Sequence, residues 1–338
     1  MFRDLLGRII RRENLSEDQM AGMMDAVLAG EATEAQIGAL MGALATKGET
    51  YEELAGAARS MRRSARRIQA MGPKVVDTCG TGGDNAHTFN ISTATAIVAA
   101  ACGLTVAKHG NRSVSSKCGS ADVLEALGVK LDTAPEIVEE AVQTIGIGFL
   151  FAPLYHGAMK YAAKPRREVG VRSIFNMLGP LTNPAGANCQ LLGVFAPQLT
   201  EMFAEALKSL GAHAAMVVHG HDGLDEISVC ARTRVSELRD GRVKTYEIDP
   251  VRYFGRLADP AELSGGDPTE NAAIIREIFS AKTGARRNVV LINTAAVLVT
   301  ADQAPDLAQG ITQAAAAIDE GRAAEKLESL IRYTRENG

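Results

Sequence analysis

The chain lacks paired cysteines. Its five, Cys79, Cys102, Cys118, Cys189 and Cys230, are an odd number with no C-x-x-C spacing, so neither a zinc site nor a dithiol redox motif is suggested. It also lacks a positive balance. A net charge of −4 over 338 residues argues against a general binder of nucleic acid or of anionic membranes. The pairs Arg62-Arg63 and Arg66-Arg67, at helical spacing, read as a solvated helix face. No run of ~18 uncharged apolar residues, the length of a membrane span, occurs; the stretch from Ile91 to Leu104 is too short. Met1 to Arg12 mixes charges with apolar residues and has no uninterrupted apolar core of a signal peptide. Internal repeats and low-complexity segments are absent. These absences lead us to expect a cytoplasmic protein with neither nucleic acid nor membrane as partner. What remains is an ordinary globular composition, 46% hydrophobic and 22% charged, able to bury a core in one large or two smaller domains.

Up to about residue 70 the pattern is helical throughout. Ser16-x-x-Gln19, Thr33-x-x-Gln36 and Thr50-x-x-Glu53 are three capping boxes, each pairing a hydroxyl with a longer polar side chain three residues on. Each precedes apolar residues at helical spacing, such as Ile37, Leu40, Met41 and Leu44. The expectation is a helical bundle without catalytic chemistry, used for packing against the rest of the chain or a second subunit. From Lys74 the texture changes to short apolar runs at 75–78, 104–107, 147–151, 191–195, 214–218 and 289–292. Helical patterns at 92–101, 121–127, 135–144, 200–210, 269–279 and 302–320 alternate with them, which predicts βαβ units and a largely parallel sheet. Arg239-Asp240-Gly241-Arg242 reads as a hairpin turn. The fold class is therefore α/β, with a small N-terminal helical domain and a larger α/β domain on a mostly parallel central sheet. The division falls at 1–72 and 73–338, with 166–186 packing back on the helical part.

Chemistry concentrates after the strands. Val75-Val76-Asp77-Thr78-Cys79-Gly80-Thr81-Gly82-Gly83-Asp84, followed by Asn90-Ile91-Ser92-Thr93, runs from a strand through a glycine-rich turn into a helix. Such a turn lets backbone N–H groups and a helix N-terminus meet an anion. The dinucleotide pattern G-x-G-x-x-G fails at Asn85, and no Gly-Lys-Ser/Thr follows for a P-loop. A carboxylate, Asp84, inside an anion loop points to a sugar phosphate or pyrophosphate with hydroxyls or a metal ion, not to bare phosphate. Lys108-His109-Gly110-Asn111-Arg112-Ser113-Val114-Ser115-Ser116-Lys117-Cys118-Gly119-Ser120 follows the next strand, and its cations and hydroxyls suit oxygen-rich anions. Loops at the carboxyl ends of parallel strands share one edge, so the two stretches are expected to meet. Gly220-His221-Asp222-Gly223-Leu224-Asp225-Glu226 also follows a strand. Adjacent acids are common on surfaces, but at this edge they suit Mg²⁺ held by carboxylates, substrate oxygens and water. In Lys164-Pro165-Arg166-Arg167-Glu168 an arginine can grip a carboxylate with two prongs. His156 reads equally as a packed or capping residue.

Together these motifs resemble the anthranilate phosphoribosyltransferases of the nucleoside-phosphorylase-like phosphoribosyltransferase family. The matching stretches are Gly80 to Asp84, Asn90 to Thr93, Lys108 to Arg112, Gly119-Ser120-Ala121-Asp122, Asn176 to Pro184, Gly223 to Glu226, and Gly265-Gly266-Asp267 with Glu270-Asn271. The resemblance covers nearly the whole chain, with the motifs in order. It implies a small helical domain and a larger α/β domain, usually in a homodimer, here expected through the helical domain. The implied reaction joins anthranilate to 5-phosphoribosyl 1-pyrophosphate, a step of tryptophan biosynthesis, and releases pyrophosphate. Carried over, Gly80, Gly83, Asp84, Thr88, Asn90, Ile91, Ser92 and Thr93 would hold the phosphoribosyl pyrophosphate. Lys108, His109, Gly110, Asn111, Arg112, Ser113, Val114, Ser115, Ser116 and Ser120 would continue that site. Two Mg²⁺ ions are implied, one on Ser92 and Glu226, the other on Asp225 and Glu226. Gly80, Asn111 and Arg166 would contact anthranilate, with His109 and His156 lining its approach. Lys108, Asp225 and Glu226 would carry catalysis by neutralising charge on the departing pyrophosphate. One departure is His156-Gly157, where the family more often has His-Pro, leaving a less constrained backbone. A pyrimidine nucleoside phosphorylase shares the architecture, and a nucleic-acid-binding homologue is the reading from another class. Asn90 to Thr93 with the acid pair favours the pyrophosphate donor over the first, and the net charge does not support the second.

Overall fold

Four helices open the chain: α1 (Phe2–Ile10), α2 (Glu17–Leu28), α3 (Glu34–Lys47) and α4 (Tyr51–Ser64). The last three begin at the expected capping boxes. Ser16, Thr33 and Thr50 accept from the N–H groups of Gln19, Gln36 and Glu53, whose side chains return to the cap backbone. Such caps contribute about 1 kcal/mol each. Met20, Met24, Val27, Leu40, Leu44 and Leu54 close the bundle on an apolar interior. Glu53 is fully buried, yet its carboxylate accepts from the Leu15 and Thr50 N–H groups, each at 3.0 Å, and from Lys47 Nζ at 2.9 Å. A buried charge is tolerable only when paired and satisfied in this way. The computed structural model describes residues 1–70, 72–83, 86–113 and 117–338. Among the candidate site residues, Asp84, Val114, Ser115 and Ser116 lie outside the described residues.

The described residues form one seven-stranded sheet: β1 (Val76–Gly80), β2 (Val106–Gly110), β3 (Ile147–Phe151), β4 (Cys189–Gly193), β5 (Ala214–Gly220), β6 (Thr233–Arg239) and β7 (Arg242–Ile248), in the order β3-β2-β1-β4-β5-β6-β7. The first five strands run parallel, and β6 and β7 join antiparallel through the expected hairpin. The chain builds outward from β1 to β3, then returns to place β4 against the other side of β1. The β1/β4 boundary is therefore the topological switch point, where a crevice opens at the carboxyl ends of the strands.

The intervening helices are α5 (Ile91–Ala101), α6 (Ser120–Leu127), α7 (Pro135–Thr144), α8 (Ala152–Tyr155), α9 (Lys160–Val169), α10 (Ile174–Leu178), α11 (Leu199–Ser209), α12 (Val251–Phe254), α13 (Pro268–Phe279), α14 (Ala285–Thr300), α15 (Leu307–Asp319) and α16 (Arg322–Asn337). The parallel strands β1 to β5 are largely buried on both faces, while β7 is exposed or half-buried along most of its length, and the two-residue period sorts the side chains. Leu191, Met216 and Val218 face the cluster of α5, α14 and α15. Leu192, Ala215 and Val217 face α11 and the N-terminal helices. Ile174, Phe175, Leu178 and Leu181 join that second cluster. No helix among the described residues is long and apolar enough to cross a membrane.

Three sequence expectations are corrected. The run 289–292 is not a strand; it lies inside the sixteen-residue α14, whose residues from Val289 to Thr300 are all buried. A helix enclosed on every side shows no polar face, so its apolar run cannot be told from a buried strand by periodicity. The helix expected from 302 starts at Leu307, where the Asp306 side chain accepts from Gln309 N–H. In addition, β2 continues through Lys108, His109 and Gly110, which pair with Phe149, Leu150 and Phe151 of β3. Those three residues thus sit on a strand and not in the loop beyond it.

Candidate active site

At the switch point Gly80 of β1 and Gly193 of β4 lie in register. The loop leaving β5 folds over them. A methyl on Gly193 would overlap the Asp225 carbonyl, and one on Gly80 would overlap the Asp225 carboxylate. Only glycine lets this acid-bearing loop rest on the strand ends. Asp225 Oδ2 then accepts from Gly82 N–H at 3.0 Å, while Gly82 and Gly83 take φ of 65° and 76°. The glycine-rich loop and the acid pair, 143 residues apart in sequence, are thus in direct contact.

Beneath them lies a buried ionic floor. Lys108 is 4% exposed, and its Nζ donates to the Thr78 carbonyl and to Ser92 Oγ, the latter at 3.3 Å. Burial lowers the Lys108 pKa, opposed most by the nearby Asp77 carboxylate and also by that of Glu226. Asp77 is fully buried. Its Oδ1 accepts from His109 N–H at 3.1 Å and its Oδ2 from Asn183 Nδ2 at 2.8 Å. Burial pushes the Asp77 carboxyl up, and Lys108 opposes this most strongly. Asn183 also donates to the Ala107 carbonyl at 2.8 Å, tying the segment before Pro184 to the sheet. Lys108 is thus a buried amine set in the floor, holding Ser92.

His109 and His156 face each other, with ring centroids 5.1 Å apart. His109 Nδ1 lies 3.2 Å from the Gly179 carbonyl. A carbonyl only accepts, so Nδ1 carries the proton and Nε2 is left as an acceptor. His156 bonds to the Thr182 backbone. The Nε2 atoms of both rings are buried without a partner. Burial, with His156 adding to it, pushes the His109 pKa down to about 3, and burial pushes that of His156 down to about 4. Both rings are neutral near pH 7. A depressed histidine pKa means that acid protonates the unfolded chain first. This contribution to stability is complete above about pH 6.5 and is lost as pH falls through 4 and 3. Between about pH 6.5 and those depressed values we expect a loss of about 1.4 kcal/mol per histidine per pH unit. Denaturant unfolding at about pH 7 and about pH 5.5 measures it; a His109→Gln/His156→Gln variant with the wild-type pH dependence would contradict neutral rings.

Asn90 donates from Nδ2 to the Cys118 carbonyl at 3.2 Å and accepts from Asn271 Nδ2 at 3.0 Å, while Thr78 Oγ1 donates to the Ser92 carbonyl at 2.9 Å. Ile91 and Thr93 are buried in the first turn of α5, and Thr88 bridges to Ser264. Asn111 accepts from Ser120 Oγ and from Ala121 N–H through its carbonyl. Arg112 turns toward α6, paired with Asp122 and Glu125, and Ser113 N–H donates to Asp122 at 3.0 Å. Arg166 is half-buried with its guanidinium 5.8 Å from the Phe175 ring centroid, whereas Arg167 is exposed. Burial lowers the Arg166 pKa.

Sequence reasoning missed Asp77, Gly193, Asn183 and Arg172 as site residues. Arg172 stacks 3.8 Å from the Phe195 ring centroid and donates to the Gly83 carbonyl at 2.9 Å. The signal available for Asp77 was a charge inside a short apolar strand; for the others the partners are distant in sequence. Among the described residues no group of three His, Cys, Asp or Glu side chains is gathered to hold a metal. The donors offered by Ser92, Asp225 and Glu226 are all oxygens and too few for a closed cage. That set fits a hydrated Mg²⁺ completed by phosphate oxygens of a substrate.

A glycine-rich loop and an acid pair meet at the switch point, in a chain that also carries an N-terminal helical bundle. The family model for the glycosyl transferase family, helical bundle domain, matches residues 3–65, and that for the glycosyl transferase family, a/b domain, matches residues 72–324. The chain is 67% identical to an anthranilate phosphoribosyltransferase of Desulfosudis oleivorans, covering all of both chains. It is also similar to the crystal structure of anthranilate phosphoribosyltransferase from Thermus thermophilus, at a TM-score of 0.93 and 41% identity over 98% of this chain and 99% of that one. The Saccharomyces cerevisiae enzyme, in complex with PRPP and Mg, superposes at a TM-score of 0.89 with 26% identity, covering 99% and 98% of the two chains. The chain belongs to the anthranilate phosphoribosyltransferase family.

Proposed function

We propose that this chain transfers the phosphoribosyl group of 5-phosphoribosyl 1-pyrophosphate (PRPP) to the amine of anthranilate, releasing pyrophosphate. The observation that carries the reading is the Asp225 carboxylate bonded to Gly82 N–H at the switch point, which puts metal-binding acid and anion loop in one crevice. Gly80, Gly83, Asp84, Thr88 and Asn90 to Thr93 hold the donor, with Lys108 to Ser116 and Ser120 continuing its cradle. Mg²⁺, two ions per subunit on Ser92, Asp225 and Glu226, neutralises the pyrophosphate when bound. Lys108 holds Ser92 and adds a fixed positive charge beneath the leaving group, the kind of preorganised electrostatics that dominates such catalysis. No side chain acts as a covalent nucleophile.

The Arg166 guanidinium has no hydrogen-bond or ion-pair partner among the described residues, only the Phe175 ring, and a half-buried guanidinium of this kind suits the anthranilate carboxylate. Gly80 and Asn111 complete the acceptor's contacts. The unpartnered Nε2 atoms of His109 and His156 suit the N–H bonds of its amine. The chain divides into a helical unit, 1–72, and an α/β unit, 73–338, whose segment 166–186 packs on the helical unit. We expect a homodimer through the helical unit, supported by the exposed Met1, Ile10 and Tyr161 at that end.

The decisive test is the fluorescence decrease of anthranilate on mixing with PRPP, run with and without Mg²⁺, beside a phosphorolysis assay on pyrimidine nucleosides. Consumption only with PRPP and Mg²⁺ supports the reading; phosphorolysis in its place overturns it. Arg166→Ala is expected to raise the anthranilate KM about 30-fold, the equivalent of about 2 kcal/mol for a lost charge-paired contact, with the PRPP KM little changed. An unchanged anthranilate KM removes Arg166 from the acceptor site.

A further inference from the structure

Asn293 sits in the middle of α14 with none of its surface exposed, in a stretch where every residue from Val289 to Thr300 is buried. Its Oδ1 accepts from Ile227 N–H at 2.9 Å, and its Nδ2 donates to the Ile227 carbonyl at 2.9 Å and to the Val289 carbonyl at 2.8 Å. Both protons and the oxygen of the amide are thereby used, two of the three bonds on one backbone residue. Ile227 directly follows Glu226. The next residue is held as well: Ser228 N–H donates to Thr233 Oγ1 at 2.9 Å and Ser228 Oγ to Asp222 Oδ2 at 2.6 Å.

On the other side, the Asp225 backbone rests on Gly193 and its carboxylate on the Gly82 N–H. The acid pair is therefore gripped from both flanks, by the glycine floor of β1 and β4 and by the amide of α14. A loop gripped on one flank only could swing about its free end. An amide placed where packing alone calls for an aliphatic side chain must do what an aliphatic side chain cannot, which is to pair the Ile227 backbone.

We propose that Asn293 is a positioning residue for metal binding: by fixing both backbone polar groups of Ile227 it aims the Glu226 carboxylate at the ion. This rests on the reading of Asp225 and Glu226 as metal-binding acids. Supporting groups of this type alter metal affinity about 10–100-fold when removed.

The test is a binding titration. Mn²⁺, a paramagnetic stand-in for Mg²⁺, is titrated by electron paramagnetic resonance into the full chain with saturating PRPP and no anthranilate. Asn293→Ala is expected to need about 10-fold or more Mn²⁺ for half-saturation. Val289→Ala, one helical turn away and equally buried, loses packing but keeps the amide, and is expected to lower thermal stability with Mn²⁺ binding unchanged. Where the alanine variant does not fold, Asn293→Ser serves in its place, with a shift in the same direction. An Asn293 variant that loses only stability and binds Mn²⁺ as the wild type does overturns the proposal. Wild-type Mn²⁺ binding that Glu226→Gln leaves untouched overturns the acid-pair reading itself, and the two failures are distinct.

Discussion

Glu226→Ala is expected to lower turnover about 10²–10³-fold, the loss typical when a fixed charge contact at the reacting centre is removed, and to raise the Mg²⁺ needed for half-maximal rate. Two causes act together. The substitution removes the acid shared by both proposed ion positions. It also removes one of the negative charges that keep Lys108 protonated against its burial, leaving Asp77 as the main opposing charge. The second cause predicts a pH signature. With Glu226 gone the Lys108 pKa falls further, so the residual rate of the variant declines at a lower pH on the alkaline side than the wild-type rate does. Glu226→Gln keeps the side-chain volume at this 8% exposed position while removing the charge, so a loss equal to that of the alanine variant assigns the effect to charge and not to packing. Steady-state rates across Mg²⁺ concentration and pH measure all of this. Near-normal turnover with an unchanged Mg²⁺ dependence would take Glu226 out of the site. Arg166→Ala carries the opposite signature, a raised acceptor KM, so the two variants separate donor chemistry from acceptor binding.

Much of the architecture was written locally. The capping boxes at Ser16, Thr33 and Thr50 are decided within four residues, and all three close as expected. The alternation of apolar runs and helical patterns follows from burying a parallel sheet on both faces. The expected hairpin at Asp240-Gly241 joins the last two strands. What could not be read locally is what depends on enclosure or on distant partners. Helix α14 hides among buried runs because it has no solvent face, and with it hides Asn293, whose bonds reach across 66 residues. The strand β2 was ended too early because Lys108 and His109 are polar; they remain strand residues because Thr78, Ser92 and Asp77 satisfy them from other elements. The strand entering the glycine loop and the helix after it were legible, while the reason for Gly193 was not, since its neighbour Asp225 arrives from another loop altogether.

Gly193 gives the sharpest separation of fold from site. Gly193→Ala places a methyl where the Asp225 carbonyl lies, and neither partner can yield by rotating a side chain. Gly193 is the last residue of β4, held in the ladder beside Gly80 and Val218. The Asp225 backbone is tied through the loop to the strand ends and to α14. Relief therefore requires lifting the acid loop off the sheet. Overpacking of this kind costs about 1–3 kcal/mol of stability, and a displacement of about 1 Å at a reacting centre costs about 100-fold in rate. We expect both losses in this one variant. Gly80→Ala meets the Asp225 carboxylate and not its backbone, so the side chain can turn aside at the loss of the Gly82 N–H bond; a smaller stability loss with a comparable rate loss is expected. Gly42→Ala, inside α3 with nothing within 4 Å of the added methyl, is the control, and is expected to be neutral or stabilising by up to about 1 kcal/mol through helix propensity. Denaturant unfolding and initial rates on the three variants decide the matter. A Gly193→Ala protein with wild-type rate would show that the acid loop tolerates displacement, and that its seat on β4 matters for neither the metal nor the donor.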